Sequence, residues 1–246
     1  MKPLVIYHKN CADGFGAAYA AWTKFGDKAE YLPMHYGDEM STEIEGRDVY
    51  VLDFSFPASQ TADLIAVANS FTWLDHHKTA FENWCGPEYL STEVLGVERT
   101  IFAQDVYLSD NKTIAVRILL DMNKSGCELA WKYFNPEEWA PKGLQHIGDR
   151  DLWRFELENT REFCAAMGLF DKKFEVWNTL LSENMYSELI SSGRTLLKAQ
   201  EQRVKSASDP KKLKEVSFKL SDGTELSGLA CNVVSDISET GNAIAK

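Results

Sequence analysis

Residues 71–77 read FTWLDHH, a short apolar run that stops at one acidic residue and two histidines. A run of this kind is typical of a buried strand that feeds a loop. Residues 49–53 read VYVLD and residues 4–8 read LVIYH, so a short apolar run that ends at an Asp or a His occurs three times. Helix-like segments separate the runs, at 17–25 and at 57–69. Near-continuous apolar strands that alternate with helices predict an α/β fold, with a parallel sheet and helices on both faces.

The middle and C-terminal parts carry further local signals. Residues 99–108 and 113–120 predict a hairpin that is inserted into the core fold. Ser125 predicts the cap of a helix, Gly148 marks the end of the next helix, and Asp13 is read as the cap of the first. The chain is expected to divide into three parts: a main domain at 1–190, a helical linker at 191–211, and a small C-terminal α+β part at 212–246.

Composition limits the function classes. The net charge is −11, so the chain lacks the basic balance of a protein that coats duplex DNA. No apolar run approaches the ~18 residues that span a bilayer. The five cysteines are widely spaced and form no C-x-x-C pair, which favours a reduced, cytoplasmic protein. A small phosphorylated substrate held through a metal remains compatible with the acidic charge.

Polar side chains follow three of the predicted strands. His8 follows the first strand with Asp13 soon after it, Asp53 follows another, and a third leads into Asp75, His76 and His77. The carboxyl ends of parallel strands meet at one edge, where ligands bind. A lone Asp here could be a cap or turn residue and His8 a structural histidine, but burying Asp75, His76 and His77 in a row without partners would cost several kcal/mol. We therefore expect a shared cation at this edge.

The ligand chemistry narrows the choice of metal. Mixed carboxylate and imidazole ligation suits Mn, Fe, Co or Zn better than Ca, which prefers an all-oxygen shell. Two close ions that share a carboxylate can hold both the attacking and the leaving oxygens of a phosphoryl group. They also lower the pKa of bound water.

These motifs resemble those of the DHH phosphoesterase superfamily. That superfamily includes family II inorganic pyrophosphatases, exopolyphosphatases, nanoRNases, cyclic-dinucleotide phosphodiesterases and single-strand-specific exonucleases. The resemblance covers most of residues 1–160, and residues 149–153, DRDLW, resemble the fourth motif of a bacterial and phage branch. The tract at 121–126 also resembles that branch, and the tail resembles the start of a DHH-associated C-terminal domain.

The resemblance implies a set of metal ligands. Asp53 would bridge two ions. Asp13, His76 and Asp149 would complete one site, and His8 would bind the other ion. Mn²⁺ is the expected cofactor, as one or two ions, with Mg²⁺ or Co²⁺ as alternatives.

The resemblance also implies three roles around the metal. Asp75 would orient the ring of His76, as carboxylates do for ligating imidazoles. His77 would meet a phosphate oxygen of the substrate. Arg150 is a candidate phosphate contact, and the alternative for it is a surface ion pair with Asp151.

The sequence departs from the family pattern at two places, which concern the second metal ion and the binding of the substrate. The family's first motif carries an Asp-x-Asp pair, whereas this chain has only Asp13, so Asn10 or Cys11 could take the missing place. The family's C-terminal domain carries a glycine-rich segment with a histidine, and this sequence does not contain it. We expect either a naturally short chain or weaker contacts, or none, to the distal part of the substrate.

The sequence thus predicts a metal-dependent phosphohydrolase that uses metal-activated water. Its expected partners are short oligonucleotides, cyclic dinucleotides or nucleotides, with no membrane partner and with a homodimer left open. The alternatives are a catalytically impaired nucleotide-binding protein that keeps the fold, and a regulatory scaffold with a structural metal. Trp153 reads as a core residue rather than as a platform for a nucleobase.

Overall fold

A computed structural model of the chain describes residues 1–40, 42–83, 90–93, 100–107 and 113–245. One mixed sheet forms its centre. The strands of this sheet are β1 (Leu4–His8), β2 (Glu30–Met34), β3 (Asp48–Leu52), β4 (Ser70–Asp75), β5 (Leu90–Glu93), β6 (Thr100–Tyr107) and β7 (Thr113–Asp121). Their spatial order is β2-β1-β3-β4-β7-β6-β5. The first five in this order are parallel, and β6 and β5 continue the sheet in antiparallel fashion.

Helices cover both faces of the sheet, as the apolar strands predict. The helices are α1 (Ala12–Phe25), α2 (Ala58–Val67), α3 (Lys78–Asn83), α4 (Gly126–Phe134), α5 (Lys142–Asp151), α6 (Thr160–Met167), α7 (Phe174–Leu180), α8 (Glu183–Ala207) and α9 (Ile237–Ile244). Val5 and Tyr7 face a core that contains α1 and α4, whereas Leu4 and Ile6 face the core under α2. Alternate side chains along a strand therefore pack into two separate cores, one on each face of the sheet. The predicted α/β class is confirmed.

Three predicted elements have different bounds or neighbours. The predicted hairpin exists as β6 and β7, but β7 pairs in parallel with β4 and is the fifth parallel strand of the sheet. It belongs to the core fold rather than to an insertion, and its predicted turn at 109–112 lies outside the described residues. α5 continues through Gly148 to Asp151, and α1 begins at Ala12 with Cys11 as its N-cap.

The C-terminal part follows the long helix α8. A second sheet contains β8 (Lys214–Lys219) and β9 (Glu225–Ala230), which pair as the predicted antiparallel hairpin. Helix α9 is tied back to α8 because Arg203 Nε donates to Asp236 Oδ2 at 2.7 Å and Gln200 donates to Oδ1 at 2.9 Å. The division at 190/191 falls inside α8, and the three-part division stays a prediction. Across the described helices, none combines the length and apolarity needed to cross a bilayer.

Candidate metal centre

The carboxyl ends of β1, β3 and β4 lie side by side, and they bring the predicted polar residues together. His8 ends β1, Asp53 follows β3, and Asp75 ends β4 with two histidines after it. Three overlapping groups of carboxylate, imidazole and thiol ligands form here, each with its ligand atoms within 4.8 Å of one another. The groups are Asp53, Asp75, His76 and His77; His8, Cys11 and Asp53; and Asp13, His76 and Asp151. These groupings are close enough to bind a metal ion.

Asp53 stands at the centre of the cluster and uses its two oxygens differently. Oδ1 lies 3.1 Å from His76 Nε2 and 3.7 Å from His77 Nδ1. Oδ2 faces the other way and lies 3.9 Å from His8 Nδ1. Both Asp53 Oδ2 and His8 Nδ1 are buried without a hydrogen-bond partner among the described residues. A cation between these two atoms would satisfy both of them.

Asp53 also has a left-handed backbone conformation, with φ at 51°. Its N–H donates to the carbonyl of Leu74 at 2.9 Å, which holds the turn against the end of β4. Strained backbone of this kind costs of order 1–3 kcal/mol and concentrates at functional sites. The turn directs the carboxylate into the cluster instead of along the strand.

His76 Nε2 lies among carboxylate oxygens from three separate segments. It is 3.1 Å from Asp53 Oδ1, 3.6 Å from Asp13 Oδ2 and 3.4 Å from Asp151 Oδ2. Two ligand atoms bound to one ion at about 2.1 Å each can be at most about 4.2 Å apart. All three separations satisfy that limit, so each of these carboxylates could share an ion with His76, and Asp13, His76 and Asp151 together form one of the three ligand groups.

Asp13 is held by a helix other than its own. Its Oδ2 accepts from the N–H of Gly126 at 2.6 Å and its Oδ1 accepts from the N–H of Cys127 at 3.0 Å. These amides form the N-terminus of α4, where a negative charge is stabilised. The sequence predicts that Asp13 caps α1, but in the structure Asp13 lies inside α1 and accepts hydrogen bonds from the start of α4.

Two glycines allow the helices to approach the cluster this closely. A Cβ on Gly126 would lie 2.5 Å from Asp53 Cβ and 2.7 Å from Asp53 Oδ1. A Cβ on Gly14 would lie 2.4 Å from the carbonyl oxygen of His8. Any larger residue at either position would push a helix N-terminus away from the cluster.

Asp75 orients His77, whereas the resemblance implies that it orients His76. Its Oδ1 accepts from the backbone N–H of His76 at 2.7 Å and of His77 at 3.2 Å. The ring Nδ1 of His77 lies 2.7 Å from the same oxygen. The ring of His76 instead faces Asp13, Asp53 and Asp151. The imidazole that contacts Asp75 is therefore that of His77.

The resemblance implies Asp149 as a ligand, whereas the structure brings Asp151, and not Asp149, to the side of His76. The Asp149 carboxylate accepts from the N–H of Glu156 at 2.9 Å, from the N–H of Leu157 at 3.2 Å, and from the hydroxyl of Thr160. Both aspartates lie on α5, where residues two apart point about 200° away from each other. Only one of them can face the sheet edge, and the other organises the loop that follows the helix.

The predicted ion pair of Arg150 with Asp151 is not among the ion pairs of the described residues, and the phosphate contact stays a prediction. Arg150 Nη2 lies 3.0 Å from Glu239 Oε1 on α9. The side chain remains 43% exposed. This ion pair joins the end of α5 to the C-terminal helix.

The charges of the cluster shift several pKa values. Burial and the neighbouring Asp13 raise the pKa of Asp53 well above its usual range, and the same two causes raise that of Asp151 to about 6. Burial and nearby His77 lower the pKa of His8, so its imidazole is neutral at pH 7, as a metal ligand must be. Burial opposes ionisation of His77, but Asp75 and Asp53 outweigh it and raise its pKa. The carboxylates therefore lack a sufficient counter-charge without a cation.

A cavity of about 440 Å³ opens beside the cluster. Asp13 and Asp151 of the cluster line this cavity, and Arg150 and Lys172 bring positive charge to its wall. Trp153 and Phe170 add aromatic surface and are 41% and 40% exposed. Trp153 is therefore not the core residue that the sequence indicates, and its φ of 55° holds it in the left-handed region.

Comparison with known proteins adds one relative and one solved structure. No model of a known protein family matches the chain. "Uncharacterized protein R106" of Acanthamoeba polyphaga mimivirus is 29% identical over 212 residues, which are 80% of this chain and 44% of the viral protein. The chain thus spans less than half the length of that relative. A solved structure of an uncharacterized protein from Helicobacter pylori G27 is similar at a TM-score of 0.42 and 13% identity, covering 99% of this chain and 79% of that one.

Proposed function

We propose that the chain is a metal-dependent phosphohydrolase similar to the DHH phosphoesterases. It would cleave a phosphodiester or phosphoanhydride bond in a nucleotide, a cyclic dinucleotide or a short oligonucleotide. The observation that carries the proposal is the position of Asp53, whose two oxygens face two different groups of ligands. A carboxylate placed in this way suits a bridge between two cations.

The first cation would bind beside His76, which forms one ligand group with Asp13 and Asp151 and lies 3.1 Å from Asp53 Oδ1. Three carboxylates and one imidazole suit Mn²⁺, and Mg²⁺ or Co²⁺ are the alternatives. A bound divalent cation would polarise a phosphoryl oxygen and lower the pKa of water at the site. The raised pKa values of Asp53 and Asp151 support this assignment, because two carboxylates in one buried cluster require positive charge to ionise together.

His77 and Arg150 would contact the substrate phosphate. The hydrogen bond to Asp75 fixes the ring of His77, whose raised pKa favours the imidazolium form that can donate to a phosphate oxygen. Arg150 sits in the cavity wall and pairs only with the carboxylate of Glu239 among its described ion pairs. A phosphate could replace that carboxylate, since the guanidinium binds either group through two parallel hydrogen bonds.

The cavity supports a small substrate. Its volume of about 440 Å³ falls in the range of sites for small ligands. Arg150 and Lys172 provide local positive charge in a chain whose net charge is −11. Trp153 and Phe170 offer surfaces on which a nucleobase could stack.

The test is hydrolysis of bis-p-nitrophenyl phosphate by the full chain, with EDTA and then with added Mn²⁺. We expect metal-dependent turnover that is lost in Asp53→Ala. Asp171→Ala is the matched control, because Asp171 is an exposed carboxylate in a surface ion pair with Lys173. A panel of nucleotides, cyclic dinucleotides and short oligonucleotides would then identify the preferred class by chromatography. Nucleotide binding without any metal-dependent hydrolysis would favour a non-catalytic binding protein instead.

A further inference from the structure

The second group of ligands contains a cysteine. Cys11 lies in the loop between β1 and α1, and its thiol is within 4.8 Å of ligand atoms of His8 and Asp53. The sequence leaves both Asn10 and Cys11 open as replacements for the missing first-motif carboxylate. Asn10 has φ at 61°, and its Nδ2 lies 3.3 Å from His35 Nε2. The amide nitrogen of Asn10 thus contacts His35, whereas the thiol of Cys11 lies among the ligand atoms of the cluster.

Two buried atoms without partners face each other in this group. His8 Nδ1 and Asp53 Oδ2 are 3.9 Å apart, and neither has a hydrogen-bond partner in the described part of the chain. Leaving a buried polar atom unpaired costs about 1–3 kcal/mol. A cation in reach of His8, Cys11 and Asp53 would remove both costs at once.

The thiol also has no capping role. Cys11 is the N-cap of α1, yet its side chain makes no capping hydrogen bond to the described backbone. Serine, aspartate and asparagine are the residues that stabilise a helix from this position. The choice of cysteine is therefore unexplained by local helix stability.

We propose that His8, Cys11 and Asp53 form a second metal site with a thiolate ligand, which selects a thiophilic ion such as Zn²⁺ or Co²⁺ over Mn²⁺ or Mg²⁺. Thiolates favour the softer ions, whereas carboxylates favour hard ones. On binding, a sulfur–metal bond forms, the S–H bond breaks, and the proton leaves to solvent. The three protein ligands leave one position open for water or substrate, as in catalytic zinc sites. The proposal rests on the proposed function in taking Asp53 as a ligand shared by two ions.

The experiment is a titration of the metal-free full chain with Co²⁺, followed by absorption spectroscopy. A cobalt–thiolate bond gives a charge-transfer absorption in the near ultraviolet that oxygen and nitrogen ligands do not give. We expect this absorption in the wild type, and we expect its loss in Cys11→Ser. Cys231→Ser is the matched control, because Cys231 is a half-buried free thiol outside all three ligand groups, and it should retain the full absorption.

Zn²⁺ affinity gives a second measurement. Loss of an outer partner of a metal ligand lowers affinity about 10–100-fold, so removal of the thiolate itself should lower Zn²⁺ affinity at this site by at least as much. Cys11→Asp should instead shift the preference toward Mn²⁺, and this variant keeps an N-cap residue that favours the helix. The same absorption in wild type and Cys11→Ser, or none in wild type, would overturn the proposal.

Neither readout depends on turnover. If the cobalt absorption requires Cys11 but no phosphodiester is hydrolysed, the proposed function fails and the thiolate site stands. If hydrolysis requires Asp53 but the absorption is absent or independent of Cys11, the thiolate site alone is wrong.

Discussion

Replacing Asp149 by asparagine should destabilise the fold while leaving metal binding largely intact. The Asp149 carboxylate is buried and accepts three hydrogen bonds, from the amides of Glu156 and Leu157 and from the hydroxyl of Thr160. An asparagine keeps one acceptor oxygen and presents an NH₂ group where the second oxygen was. At least one of these donors then loses its acceptor, and the remaining bonds lose their charge.

The size of the effect follows from these contacts. A hydrogen bond to a charged group contributes about 1.5–3 kcal/mol, so the free energy of unfolding should fall by about 3 kcal/mol. For a chain of this length the melting temperature changes by about 2–4 °C per kcal/mol, which gives a decrease of about 6–12 °C. The assay is thermal unfolding at pH 7 in EDTA, followed by calorimetric titration of the folded variant with Mn²⁺.

The pH dependence gives an independent check. Burial alone would raise the pKa of Asp149, but its hydrogen bonds from Thr160 and the two amides lower it below 3.8. The carboxylate therefore stabilises the fold above pH 3.8, and this stabilisation is lost as the pH falls through the lowered value. The difference between wild type and Asp149→Asn should shrink in acid.

Asp151→Asn is the matched control and should behave in the opposite way. Its carboxylate lies 3.4 Å from His76 Nε2, so its loss should weaken Mn²⁺ binding without lowering the stability of the metal-free protein. Wild-type stability together with lost metal binding in Asp149→Asn would refute this assignment of roles.

Three further predictions concern the cluster and its cavity. Asp53→Asn should abolish hydrolysis at saturating Mn²⁺ without lowering the melting temperature in EDTA, because it removes a buried charge and asparagine tolerates the φ of 51°; turnover near the wild-type rate would contradict the bridging role. Without metal, Asp151→Asn should be more stable than wild type above pH 6, and the gain should shrink as the pH falls toward 3.8, because the pKa of Asp151 is raised to about 6; unfolding curves across this range test the sign. Trp153→Leu should raise KM for a nucleotide substrate about tenfold, as the loss of one stacked base implies, whereas Trp139→Leu, at a tryptophan that is 95% exposed, should not; equal effects of the two would argue against stacking.

The sequence predicts the parallel core well because its signals are local. Each of β1, β3 and β4 contains a near-continuous apolar run that leads into a polar residue, and parallel pairing is enough to bring His8, Asp53 and Asp75 together. The start of α4 is equally local. Ser125 accepts from the N–H of Glu128, and the Glu128 side chain accepts from Ser125, in a complete capping box.

The position of Asp151 could not be read from the sequence in the same way. Gly148 suggests that α5 stops before the DRDLW motif, which would leave Asp149 free to point at the sheet. In the structure, a Cβ at Gly148 would lie 2.8 Å from Ser125 Oγ and 2.9 Å from Glu128 Cδ. The glycine therefore serves the close packing of α5 against α4, and the helix continues. Which aspartate faces the cluster depends on this contact between distant residues.

The parallel pairing of β7 with β4 is another non-local outcome. Its sequence predicts a strand and its hairpin partner, but the strand could have joined the sheet through either edge. Ser70 and Asp75 of β4 pair with Ala115 and Leu120 of β7, and this pairing buries the strand in the centre of the sheet. No local pattern in residues 113–121 specifies that neighbour.

The register of β7 sets where the start of α4 lies relative to the candidate metal centre. Only four residues separate the end of β7 at Asp121 from Gly126, whose amide holds Asp13. A slip of β7 by two residues along β4 would keep every side chain on its own face, yet it would carry the start of α4 about 7 Å along the sheet. The amides would then no longer reach the carboxylate. Sequence change in this interior strand is thus constrained by the contact between α4 and Asp13 as well as by packing, even though no residue of β7 belongs to the three candidate ligand groups.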